Sequence, residues 1–151
     1  MICSQIKQSC VCDNTLSYDQ FDHINLTVTI FDFPKNNTDF ENSEPDPVTV
    51  DAKLGPDGLP VFGNDTRFDY LFRYTPGVNL EINTTLSLTK ISSGSYKLDY
   101  LDYFPIDGIL FGNEGNPHNY HFSTKTTWTI DYNGGEYLYL RYDDGILLYL
   151  N

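Results

Sequence analysis

Leu80-Glu-Ile-Asn-Thr-Thr-Leu-Ser-Leu88, "LEINTTLSL", puts Leu80, Ile82, Thr84, Leu86 and Leu88 at every second position, with Glu81, Asn83, Thr85 and Ser87 between them. A period of two belongs to a strand buried on one face, because successive side chains of extended backbone point to opposite sides. Ser92-Ser93-Gly94 then supplies a turn, and an extended run resumes from Tyr96 to Tyr103, so this stretch predicts a hairpin. Upstream, Leu26-Thr-Val-Thr-Ile-Phe31 alternates in the same way. Downstream, Tyr120, Phe122, Thr124, Thr126, Trp128, Ile130 and Tyr132 share one face of a predicted long strand. Asn133-Gly134-Gly135 is its turn, Tyr137 to Tyr142 the return strand, and Ile146 to Leu150 the next one.

Composition agrees with this pattern. Tyr and Phe number 12 and 10, β-branched residues are plentiful, and Ala52 is the single alanine, a balance that suits pleated sheets and not helices. No helical amphipathic window interrupts the strands. The expected fold class is all-β, an antiparallel β-sandwich or barrel with long irregular loops. The longest such loop runs from about 33 to 66, where Pro34, Pro45, Pro47, Pro56 and Pro60 with Gly55, Gly58 and Gly63 forbid a continuous element. That stretch is read as surface, with a turn at Pro56-Asp57-Gly58. A chain of 151 residues fits one domain, preceded by a cysteine-containing segment at 1–23. The expected domain covers 24–151. A sheet that stops at Asn151 exposes a strand edge, so the domain is read as incomplete at its C-terminus.

The formal net charge of −12 repels phosphate backbones and anionic membrane surfaces, which argues against nucleic acid as a partner. No apolar run is long enough to span a bilayer, and Met1-Ile2-Cys3 opens no signal peptide, so direct membrane insertion is not expected. Two features point outside the cell. Asn25, Asn36, Asn64 and Asn83 each begin an N-glycosylation sequon free of proline. Cys3, Cys10 and Cys12 crowd the N-terminal segment as disulfide candidates; Cys3 can bridge to Cys10 or Cys12, and the odd count leaves one thiol for a partner outside the chain. A zinc site completed by His23 does not match the spacing of paired knuckles.

Candidate catalytic groups are few. There is no nucleophile elbow, no zinc-protease helix motif and no legible Ser-His-Asp set. Asp107, Glu114, Asp143 and Asp144 are carboxylates of the kind glycosidases pair, yet such groups abound in an acidic chain. The expectation is a binding module and not an enzyme. His118 and His121 are three apart, so on an extended strand they face opposite sides and do not converge on one metal. His121 is read as a structural histidine. The glycines of "GILFGNEGNPH" match neither phosphate-loop nor dinucleotide spacing.

Five short motifs in order then carry a family likeness: Phe104-Pro105-Ile106-Asp107-Gly108, Phe111-Gly112-Asn113-Glu114-Gly115, His118-Asn119-Tyr120-His121-Phe122, Tyr132-Asn133-Gly134-Gly135-Glu136 and Tyr142-Asp143-Asp144-Gly145. With "IFDFPKNNTDFEN", "LGPDGLPVF" and "FDYLFRYTPGVN", residues 24 to 151 resemble the fibro-slime branch of the PA14 domain family. The chain is similar in this respect to the prespore-cell-inducing factors of social amoebae. The resemblance implies a secreted or cell-surface β-sandwich whose partner is a glycan or a cell-surface receptor. It also implies Ca2+ as a cofactor, since sugar-binding members of the family hold calcium on adjacent aspartates, here Asp143 and Asp144. Two carboxylates supply part of the roughly six to eight oxygens that calcium takes, and a cation would offset their mutual repulsion. Asp-Asp-Gly equally suits a plain turn. Gly145 stands where this branch usually has a third aspartate, and Phe31 where an arginine is common.

Overall fold

A computed structural model describes residues 21–37, 50–63, 68–98, 102–130, 132, 134–142 and 145–150. Four strands form in chain order: β1 (His23–Asp32), β2 (Leu80–Ser92), β3 (Ser95–Lys97) and β4 (Phe122–Thr126). They make one sheet in the order β3-β2-β1-β4. No α-helix occurs among the described residues, so the protein is all-β, as its composition requires. The chain forms two units, one of Met1–Val28, Thr84–Tyr100 and Thr126–Asn151, the other of Thr29–Asn83 and Leu101–Lys125.

In the first unit, β2 and β3 form the predicted hairpin, with the return run expected from Tyr96 to Tyr103 shortened to Ser95–Lys97 among the described residues. They pair antiparallel, Thr89 opposite Lys97 and Lys90 opposite Tyr96, with an irregularity between Lys90 and Ser92 at the turn. Gly94 sits there at φ +67°, a left-handed conformation that glycine adopts without a Cβ clash. β1 lies along β2: Lys90 N–H donates to the Asp22 carbonyl at 2.8 Å, and Thr89 Oγ1 is 3.4 Å from His23 Nδ1. Tyr96 anchors the hairpin to the start of β1 through its hydroxyl, which donates to the Phe21 carbonyl at 2.8 Å. Val28, Leu86 and Tyr149 are buried in this unit.

Among the described residues, the second unit holds most of the buried side chains. Ile30, Phe31 and Phe33 leave β1 almost wholly enclosed, and Phe62, Phe68, Phe72 and Ile106 join them. Phe62 sits 5.9 Å from Phe68 and 6.2 Å from Phe72, and Phe33 lies 5.7 Å from Tyr70, centroid to centroid. Aromatic contacts at such separations add about 0.5–1.5 kcal/mol each beyond the area they bury. Buried Asn79 binds the segment before β2 into one piece. Its Oδ1 accepts Thr75 N–H at 2.8 Å, while its Nδ2 donates to the carbonyls of Tyr70 and Arg73 at 3.0 and 2.8 Å.

Three further sequence expectations need correction. Residues 33 to 66 are not all surface: Phe33, Pro60 and Phe62 are core, because turn residues interrupt an element without preventing the apolar residues between them from being buried. The expected Pro-Asp-Gly turn is present, with Gly58 N–H on the Gly55 carbonyl at 2.9 Å and Gly58 at φ +73°. The long strand predicted from Tyr120 to Tyr132 shrinks to β4, Phe122–Thr126, with an isolated bridge at Ile130. Among the described residues, 134–142 and 145–150 carry no strand. Alternation creates the tendency, but a strand also needs a neighbour for its N–H and C=O groups.

Candidate functional site

The family-like motifs between Phe104 and Phe122 converge on one carboxylate at the end of β1. In β1 the even positions turn inward, and after Ile24, Leu26, Val28 and Ile30 that face delivers Asp32, fully buried. Asp32 Oδ2 accepts the backbone N–H of Phe111 at 2.8 Å, and Oδ1 accepts Asn119 Nδ2 at 2.9 Å. Asn119, itself buried, uses its Oδ1 to accept His121 N–H at 3.0 Å and gives its own backbone N–H to Asp107 Oδ1 at 2.8 Å. The other Asp107 oxygen meets His118 Nδ1 at 2.6 Å.

A second set of bonds shapes the loop between these anchors. Asn113 Oδ1 accepts Gly108 N–H at 2.7 Å and its Nδ2 donates to the Pro117 carbonyl at 2.9 Å. Glu114 Oε2 accepts Lys35 N–H at 2.6 Å, and Lys35 Nζ donates back to the Glu114 carbonyl at 2.9 Å. Successive turns at Asp107, Ile109, Gly112 and Asn116 wind the chain tightly. Leu110 and Glu114 take positive φ, 58° and 47°, a conformation that costs an L residue about 1–2 kcal/mol. Phe33 N–H donates to the His121 carbonyl at 2.8 Å, which seats the end of the loop on the sheet.

Electrostatics separates the two aspartates. Burial pushes the Asp32 carboxyl above the ordinary value of 3.8; the Phe111 and Asn119 hydrogen bonds oppose this only in part, and nearby Glu114 reinforces it. The His118 hydrogen bond, followed by the Asn119 N–H, holds Asp107 below that value. Asp32 is therefore a costly internal anchor and Asp107 a comfortable surface anion.

The outer surface of this loop is partly aromatic. Phe104 stacks flat on His118, centroids 4.0 Å apart and 8° from parallel. Tyr120 stands edge-on to both, at 5.4 Å from Phe104 and 6.0 Å from His118, and is 49% exposed. Ile109, Leu110 and Phe111 are also exposed at the loop's turn. A ring face beside an oriented imidazole and carboxylate can offer both an apolar contact and directional hydrogen bonds to a polyhydroxylated ligand.

Of the residues singled out from sequence, His118 and His121 face different partners: His118 joins Asp107, whereas buried His121 lies with its Nδ1 3.9 Å from Glu114 Oε2. Asp107 and Glu114 both bind groups of their own loop or of Lys35. Asp143, Asp144, Asn64, Cys3, Cys10 and Cys12 lie outside the described residues. Among the described residues no group of three or more His, Cys, Asp or Glu side chains is placed to hold a metal ion. No described helix is long and apolar enough to cross a membrane. Asp32 and Asn119 are the residues that sequence reading missed as organisers of the site. The signal for Asp32 was a charge on the apolar face of an alternating strand.

No protein-family model matches the sequence, and no solved structure matches it. The relatives are informative. The protein psiD of Dictyostelium discoideum is 32% identical over 163 residues, covering 89% of this chain. The chain is similar to psi proteins. Two others from the same organism agree: psiR is 32% identical over 155 residues and 83% of the chain, and psiQ 28% identical over 170 residues and 95% of it. The chain spans 32% of the length of psiD and 16% of psiQ and psiR.

Proposed function

We propose that this chain is an extracellular carbohydrate-binding or adhesion module of PA14 type. The observation that carries the reading is the exposed ring of Tyr120 beside the His118–Asp107 pair, on a loop anchored by buried Asp32 and Asn119. A neutral sugar offers apolar ring faces and hydroxyl groups, and a rigid surface with one aromatic face and a few fixed polar groups suits both. Binding, not turnover, is the use such a surface supports. Calcium at Asp143 and Asp144 is the second element of the proposal, taken from the family resemblance; when bound, the ion would supply a charge that orients hydroxyl oxygens. Weak affinity for single sugars would be raised by many copies on a surface.

A second reading is a secreted signalling or protein-interaction module of the prespore-inducing kind. Similarity to psi proteins over most of the chain and the exposed Ile109-Leu110-Phe111 turn favour it. A glycan array probed in millimolar calcium and again in chelator separates the two. Signals that vanish on chelation and in Asp144→Asn support calcium-dependent sugar binding. A blank array, with a receptor captured from the surface of responding cells and free sugars unable to compete, favours the interaction module.

A further inference from the structure

We infer that Asn25 and Asn83 carry N-linked oligosaccharides, standing on the solvent-facing positions of β1 and β2. The inference needs the secretory route of the reading above and is independent of sugar binding.

A sequon is read through both its asparagine and the hydroxyl residue two places on, and a strand puts those positions on the same face. Asn25 and Thr27 are both exposed on β1, while Leu26 and Val28 turn inward. Asn83 and Thr85 are both exposed on β2, with Ile82, Thr84 and Leu86 on the inward side. Neither asparagine replaces a core residue, and a bulky group at either is accommodated in solvent.

Asn83 has a further property. In the folded chain Thr29 Oγ1 donates to its Oδ1 at 2.8 Å, so the amide oxygen holds the side chain and a sugar on the nitrogen is compatible with that bond. Attachment occurs at that nitrogen, before the strands pair. A bond forms between Nδ2 and the anomeric carbon of an oligosaccharide carried on a lipid pyrophosphate, the bond from that carbon to the pyrophosphate oxygen breaks, and Nδ2 loses one of its two protons as the lipid pyrophosphate departs. Oδ1 remains an acceptor in the product, so the Thr29 bond still forms. Asn36 is also exposed, but Thr38 of its sequon lies outside the described residues, as does the Asn64 sequon, and neither belongs to this proposal.

The test fuses a secretory leader to the full chain, translates it in the presence of microsomes, and maps sites by peptide mass after enzymatic deglycosylation in heavy-oxygen water. Supplying the leader makes failure here distinct from failure of the extracellular reading, which fractionation of the untagged protein addresses. Label is expected at Asn25 and Asn83. Asn25→Gln and Asn83→Gln are each expected to abolish one endoglycosidase-sensitive gel shift, and Thr27→Ala and Thr85→Ala to do the same with the asparagines intact. Because the shift is read during translocation, a variant that fails to fold still reports. Translocated chain with no sugar at Asn25 or at Asn83, or shifts that persist in the Thr27→Ala and Thr85→Ala variants, overturns the inference.

Discussion

The buried carboxylate of Asp32 accepts the backbone N–H of Phe111 at 2.8 Å, joining the end of β1 to a turn 79 residues further along the chain. Together with the Asn119 amide on its other oxygen, this contact closes a large part of the second unit around a single side chain. Removing it strands two donors. Asp32→Ala is expected to cost on the order of 1–3 kcal/mol for each donor left unsatisfied. The melting temperature should fall by roughly 2–4 °C per kcal/mol for a chain of this size. Asp32→Asn keeps the shape and one acceptor oxygen but turns an NH2 toward one donor, so its loss should be intermediate. An unchanged melt for Asp32→Ala would show that the loop is held by other contacts.

The two aspartates should leave opposite marks on stability as pH changes. Asp32 has a raised value, so the folded state holds its proton more tightly than the unfolded chain, and stability declines as pH climbs from 3.8 through the folded value. Asp107 has a lowered value, so the stability it adds is complete above 3.8 and is lost as pH falls below it toward the folded value. Urea midpoints measured across the acid range should therefore flatten above 3.8 in Asp32→Asn and below 3.8 in Asp107→Asn. The reverse assignment would contradict the burial and hydrogen bonding described for the pair.

Asn79 satisfies three backbone groups at once, and no other side chain of the same size offers that combination of acceptor and donors. Asn79→Ala should destabilise the segment from Tyr70 to Asn79 by about 1–3 kcal/mol or more. Hydrogen exchange at the Thr75 amide is the direct readout: protection there should collapse before that of β2, and retained protection would count against the network.

Leu110 adopts φ +58° and is 38% exposed, so more than half of it is covered. Leu110→Gly should relieve about 1 kcal/mol of backbone strain while losing a comparable apolar contribution, so the melting temperature should change little. If Ile109-Leu110-Phe111 is a docking turn, the same variant should weaken receptor binding while leaving the chain nearly as stable. A strongly destabilised variant would mean that the packing of Leu110 outweighs the strain of its backbone.

The period-two runs of β1 and β2 and the hairpin at Gly94 were legible from sequence because one buried face writes alternation directly into the residue order. Asp32 was legible in principle as the one charged residue on the inward face of β1, but its meaning depends on Phe111 and Asn119, which are distant in sequence and carry no local mark. The stretch from Tyr137 to Leu150 shows the converse: it is rich in strand-forming Tyr, Leu and Ile, yet the described residues there form no strand, since pairing depends on a neighbour that no local pattern specifies. Phe33, Pro60 and Phe62 were misplaced because punctuation by proline and glycine says where elements stop and not what is buried.

The most direct test of the central proposal is calorimetric titration of an array-positive glycan into the wild-type chain and Tyr120→Ala, with matched melting curves to confirm that both are folded. Tyr120 makes edge contacts with Phe104 and His118 but is half exposed, so its truncation should leave the fold nearly intact. Sugar binding at this surface predicts affinity weakened roughly tenfold or more in Tyr120→Ala, about 1.4 kcal/mol. Equal affinity in the two folded proteins would place the sugar elsewhere and contradict the account.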